Sequence, residues 1–73
     1  MNEINDVAKF LFENKISCHV DTLDNIFYNG LIFELRSTFI VINDRVTGLT
    51  PIPFSEIKII EKFREKEELV LIL

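Results

Sequence analysis

The sequence predicts a mainly β domain: an N-terminal α-helix followed by five short strands that form a small, strongly bent antiparallel barrel. Three features lead there. The hydrophobic period changes from helical to two at residue 16. The stretch 26–35 is long, apolar on both faces and interrupted by Gly30, where a strand can bend or bulge. The extended segment 49–54 carries Pro51 and Pro53, which a central strand does not tolerate.

Residues 3–14 read as one helix. Ile4, Val7, Ala8 and Leu11 recur at helical spacing and Phe12 widens the stripe. Asn2 or Asn5 can cap its start, and Asn14-Lys15 marks its stop. Phe10 falls off the stripe, which makes it either an exposed edge residue or part of a subunit contact. The first strand, 16–23, turns Ile16, Cys18, Val20 and Thr22 inward and Ser17, His19 and Asp21 outward. Cys18 is then an inert core thiol and His19 a solvated strand residue.

Asp24-Asn25 is a turn signal, and the second strand runs over 26–35. Its more apolar face carries Phe27, Leu31, Phe33 and Leu35; Ile26, Tyr28, Ile32 and Glu34 make the mixed face. Arg36-Ser37 leads into a third strand, 38–43. A turn with Gly48 free to take positive φ leads into the fourth, 49–54. Ser55 is placed to cap a single helical turn before a fifth strand, 57–63. One helix from Glu56 to Leu73 would also fit the spacing of Ile57, Ile60 and Phe63. Three β-branched isoleucines within 57–60 favour the strand. Beyond it come the charged run Arg64–Glu68 and an apolar tail, Leu69–Leu73; for residues 64–73 helix and strand both stay open.

Composition narrows the function classes. The 73 residues make a single small domain, 1–73, with a thin core, for which self-association is a common supplement. One cysteine cannot form an intrachain disulfide, which fits a reducing, cytoplasmic setting. Cys18 and the only histidine, His19, point to opposite faces of a strand and cannot chelate one metal ion. No apolar run is long enough to span a membrane, and the start does not read as a signal peptide. A net charge of −4 works against binding a phosphate backbone over the molecule as a whole. Phosphate loops, cysteine pairs and Ser/His/Asp constellations are absent, so the sequence implies no enzyme and no cofactor.

"DNIFYNGLI", "STFIVI" and "IPFSEIKII" together resemble the Sm and Sm-like family, including its bacterial ring-forming relatives. The likeness rests on the turn Asp24-Asn25, Tyr28 and Gly30 in a bent second strand, and the apolar pair Ile57 and Ile60 in the fifth. It implies the family's helix-plus-five-strand barrel. Several positions depart from the family pattern. Arg36 stands where Sm proteins carry an acidic residue, and Ile40 stands where they place a base-gripping asparagine. The Arg-Gly pair of the second motif and the basic-histidine sequence of the bacterial relatives are missing from "PFSEI". The fold can carry over without the nucleotide pocket. Src-homology-type barrels share the strand order and bind peptides, so topology does not choose the ligand.

Two functions remain in competition, with a small phage or plasmid regulatory protein as a weaker third. One is a structural or adaptor module acting through protein–protein contacts, with itself or another protein. Its candidate interface is Phe10 with Leu69, Val70, Leu71, Ile72 and Leu73, the tail adding to a sheet edge of its own or a neighbouring subunit. The other is an RNA-binding module using Tyr28, Asn29, Arg36, Asn43 and Arg45 on adjacent loops. The bland reading of Asp44-Arg45 is turn geometry plus a surface ion pair. Protein contact is the favoured reading.

Overall fold

A computed structural model describes residues 3–64; the tail Leu69–Leu73 lies outside the described residues. Helix α1, Glu3–Glu13, is followed by β1 (Cys18–Thr22), β2 (Phe27–Leu35), β3 (Phe39–Asp44) and β4 (Gly48–Pro53). A 3-10 turn, Phe54–Glu56, leads into β5 (Ile57–Lys62). The strands form one bent antiparallel sheet in the order β4-β3-β2-β1-β5. It is open: among the described residues no ladder joins β4 to β5.

The helix packs on β2 and β5. It buries Ala8 and Leu11, with Ile4 and Phe12 half-buried beside them, while Val7 stays largely at the surface. Its end is a Schellman closure. The Ile16 amide donates to the Leu11 carbonyl at 3.0 Å and the Lys15 amide to Phe12 at 3.2 Å. Lys15 takes the left-handed conformation that this closure needs, φ 55°.

The inner face of the sheet supplies the rest of the core: Cys18, Val20, Ile32, Ile40, Ile42, Ile52, Ile57 and Ile60. Residues paired across a ladder share a face. Cys18 lies opposite Gly30 and Val20 opposite Tyr28, so Tyr28, Gly30 and Ile32 face inward on β2. The expected facing of β2 is therefore reversed over most of its length. Phe27, Leu31 and Phe33 are exposed, at 60 %, 45 % and 62 %. The register slips between Ile32 and Glu34, leaving Phe33 as the extra residue. That slip changes the parity, so Leu35, opposite Ile40, packs against the core after all.

Gly30 has a different job from the one the sequence suggested. The bulge falls after Ile32, and Gly30 is needed for close approach: a Cβ there would stand 1.9 Å from the Asn43 carbonyl oxygen. Gly48 has open space around it and a φ of +78° in the β3–β4 turn. The 3-10 turn starts at Phe54 and is preceded by Pro53, so Ser55 lies within it and does not cap it.

Pro51 and Pro53 are accommodated because β4 is an edge. The Phe54 amide donates toward β3, to Thr38 O at 3.0 Å. By strand alternation the nitrogens of residues 49, 51 and 53 then point away from β3. Neither proline costs a bond of the ladder.

Gly30→Ala is expected to destabilise by about 1–3 kcal/mol, because the β3 backbone must be pushed outward. Gly48→Ala should cost about 1 kcal/mol through its φ alone. Urea titration of the two variants checks this, and a Gly30→Ala protein as stable as the parent contradicts the close approach.

Candidate functional site

The polar groups that come together lie where β1, β2, β3 and β5 run side by side near the β3–β4 turn. Asp44, the last residue of β3, is only 8 % exposed. Its Oδ1 accepts from the Asn29 amide at 2.7 Å. Its Oδ2 accepts from the amides of Val46 and Thr47 at 2.8 and 2.9 Å, and from the Thr47 hydroxyl at 3.2 Å. Burial alone would raise the Asp44 pKa, but these donors outweigh it and hold the carboxyl below its ordinary 3.8. Asp44 is thus the clamp of the turn and its bridge to β2; its partners are three backbone amides and the Thr47 hydroxyl, not the side chain of Arg45.

Arg45 is directed elsewhere. Its amide donates to the Asn29 carbonyl at 3.1 Å, and its guanidinium lies 4.4 Å above the centre of the Phe63 ring. On the same stretch of β1 and β2, His19 Nδ1–H donates to Asn29 Oδ1 at 2.7 Å. The imidazole also packs, tilted, against Phe27 at 5.6 Å between ring centres. Its Nε2 stands 3.2 Å from Asp21 Oδ1 without the alignment of a hydrogen bond, and that oxygen is a buried acceptor with no donor among the described residues. A recess of about 240 Å³ opens here, lined by His19, Asn29, Glu61, Lys62, Phe63 and Arg64.

Of the residues expected to act together, the structure unites Asn29 and Arg45. Tyr28 faces inward and packs half-buried against the core, on the other side of the sheet from Asn29 and Arg45. Arg36 follows β2 and is ion-paired with Glu34. That places it at the opposite end of β3 from Arg45, about 20 Å away over six strand residues. The expected proximity of these two arginines is overturned: the β2–β3 and β3–β4 connections leave opposite ends of one strand. Asn43 lies next to Asp44 but lines a different groove, with Phe12, Glu13, Lys15, Leu31, Ile32 and Phe33, of about 410 Å³.

His19, Phe27 and Phe63 join Asn29 and Arg45 in this cluster, where the sequence did not place them. His19 is hydrogen-bonded and stacked, and is no bystander in solvent. The cue lay in the register: alternation from the inward Cys18 and Val20 puts His19 and Asn29 opposite one another on the outer face.

Cys18 is fully buried, and burial pushes its thiol up to about 11, as expected of an inert core cysteine. No grouping of His, Cys, Asp or Glu that could hold a metal ion occurs among the described residues. No helix among them is long and apolar enough to cross a membrane.

No protein-family model matches the chain, and no curated protein matches it. Solved structures do. A crystal structure of the pleiotropic translational regulator Hfq superposes with a TM-score of 0.69 at 17 % identity, covering 81 % of this chain and 97 % of that one. The protein has the Sm-like fold: an N-terminal helix and five antiparallel strands in a bent sheet.

Asp44→Asn should cost about 1–3 kcal/mol, since an amide nitrogen would face backbone donors. The native carboxyl titrates below its unfolded value. Its contribution is therefore complete above the ordinary 3.8 and is lost as pH falls through the lowered folded value. Urea midpoints of the parent should decline more steeply with acid below about pH 4 than those of Asp44→Asn. Parallel curves would contradict the assignment.

Proposed function

We propose that the protein is a non-enzymatic Sm-like module whose main business is protein contact, chiefly self-association through its sheet edges. The observation that supports this most directly is the pair of edges, at the two ends of the strand order, that carry no partner strand among the described residues. On β5 the Phe63 amide donates inward, to Ser17 O at 2.8 Å. By alternation Ile60 and Lys62 turn their N–H and C=O groups outward. On β4 the outward groups belong to Leu49, Pro51 and Pro53, so this edge offers three carbonyls and one N–H.

The donors of one copy's β5 can therefore meet the acceptors of the next copy's β4. Such a contact is heterologous, and successive copies close into a ring or run on as a filament. Leu49 on β4 and Ile59 on β5 are 56 % and 41 % exposed, which adds apolar area to the same junction. Phe10, 58 % exposed on α1, offers a further contact. A single, buried cysteine, Cys18, suits a reducing compartment such as the cytoplasm.

Light scattering of the full chain should give a mass of several subunits. Lys62→Pro removes an outward donor and leaves the β1 ladder intact, so it should lower that mass by at least half with the circular dichroism unchanged. A monomeric parent, or a variant that assembles normally, rules out edge pairing.

A second reading, single-stranded RNA binding, is supported by one specific arrangement: the Arg45 guanidinium over Phe63, beside His19, Phe27 and Asn29. The exposed ring of Phe27, the half-buried Phe63 and a cation suit a stacked base. The net charge of −4 opposes it. Titration with single-stranded RNA at low salt should show salt-sensitive binding that Arg45→Ala abolishes and Arg36→Ala, at the far end of β3, does not. Absent binding, or equal loss in both variants, removes this site.

A further inference from the structure

The groove beside the end of α1 and the exit of the chain from β5 lie at the same end of the sheet. Phe12, Leu31, Ile32 and Phe33 make the groove mainly apolar, and its volume is about 410 Å³. At this end Cys18 is paired with Gly30 on one side and Lys62 on the other. Two interstrand spacings separate β2 from β5, so the chain leaves β5 about 10 Å from the start of the groove. The Phe63–Ser17 hydrogen bond fixes that exit next to the helix–β1 connection, two residues from Lys15 on the groove wall.

The residues beyond Phe63 suit this placement. Residues 64–68, Arg-Glu-Lys-Glu-Glu, form a charged link, and Leu69–Leu73 are consecutively apolar. Five extended residues reach about 17 Å, more than the distance to be covered. We infer that residues 69–73 dock in this groove of their own chain, laying their side chains over Leu31 and Phe33, while the charged link stays in water. The segment then acts as a last core element, sealing the seam between α1 and β2 near Phe12 and Ile32. This docking is independent of the edge pairing proposed above, which involves the far sides of β4 and β5.

A nitroxide on Leu73→Cys in the full chain tests it. Cys18, buried and with its thiol pushed up to about 11, does not compete for the label. The amide signals of Phe12, Leu31 and Phe33 should lose at least half their intensity relative to the reduced nitroxide, and those of Leu23 and Asp24 should keep theirs. Introducing Leu31→Asp, at an exposed position, should restore the lost signals. In a mixture of spin-labelled chains and isotope-labelled chains without nitroxide, the loss should disappear. Undiminished groove signals in the parent, or broadening that survives Leu31→Asp, overturns the docking. Equal broadening in the mixed sample assigns the segment to a neighbouring copy and overturns the inference for the same chain.

Discussion

β2 and β3 approach at Gly30 more closely than any side chain allows, and most of the molecule's organisation depends on that contact. With no Cβ at position 30, the Asn43 carbonyl can occupy the space, and Asp44 falls opposite Gly30 in the ladder. From there the Asp44 carboxylate reaches the Asn29 amide on β2 and the Val46 and Thr47 amides in the β3–β4 turn. The turn so fixed returns the chain as β4 and directs Arg45 across the sheet to Phe63. One steric allowance thus sets the register of three strands and places the most concentrated polar cluster of the described residues.

The strand order has a consequence for association. A closed barrel would satisfy every backbone group, but among the described residues β4 and β5 each have a partner strand on one side only. The two sides differ chemically. Prolines strip donors from the outward side of β4, whereas Ile60 and Lys62 keep theirs on β5. Two copies of β4 would bring carbonyl against carbonyl and pair poorly. A β4 against a β5 retains the donors of one partner. For the proposed self-association this asymmetry suits head-to-tail contacts better than two-fold ones, and exposed Leu49 and Ile59 would give such a junction apolar area to bury.

Much of this architecture was legible in the residues. The switch of period at residue 16, the Asn14-Lys15 stop and the prolines of an edge strand each reflect a local rule, and each held to within two residues. The facing of β2 was not legible, because both of its faces are apolar and the bulge at Phe33 inverts the parity along one strand. The burden on Gly30 was visible only as a glycine in a strand; its cause is a backbone from elsewhere in the sequence. The candidate site suffered for the same reason. Arg36 and Arg45 read as neighbours on loops, but the length of β3 separates them, while His19 and Phe63 join Asn29 and Arg45 through pairings that only the register reveals.

The proposed self-association uses the outward groups of β5 between copies of the chain. Residue-resolved amide hydrogen exchange, measured over a range of protein concentrations, addresses it most directly. The Ile60 and Lys62 amides should be slowed at high concentration and exchange freely on dilution, while Glu61, directed toward β1, stays protected throughout. Fast, concentration-independent exchange at Ile60 and Lys62 in a protein whose other strands remain protected would contradict it.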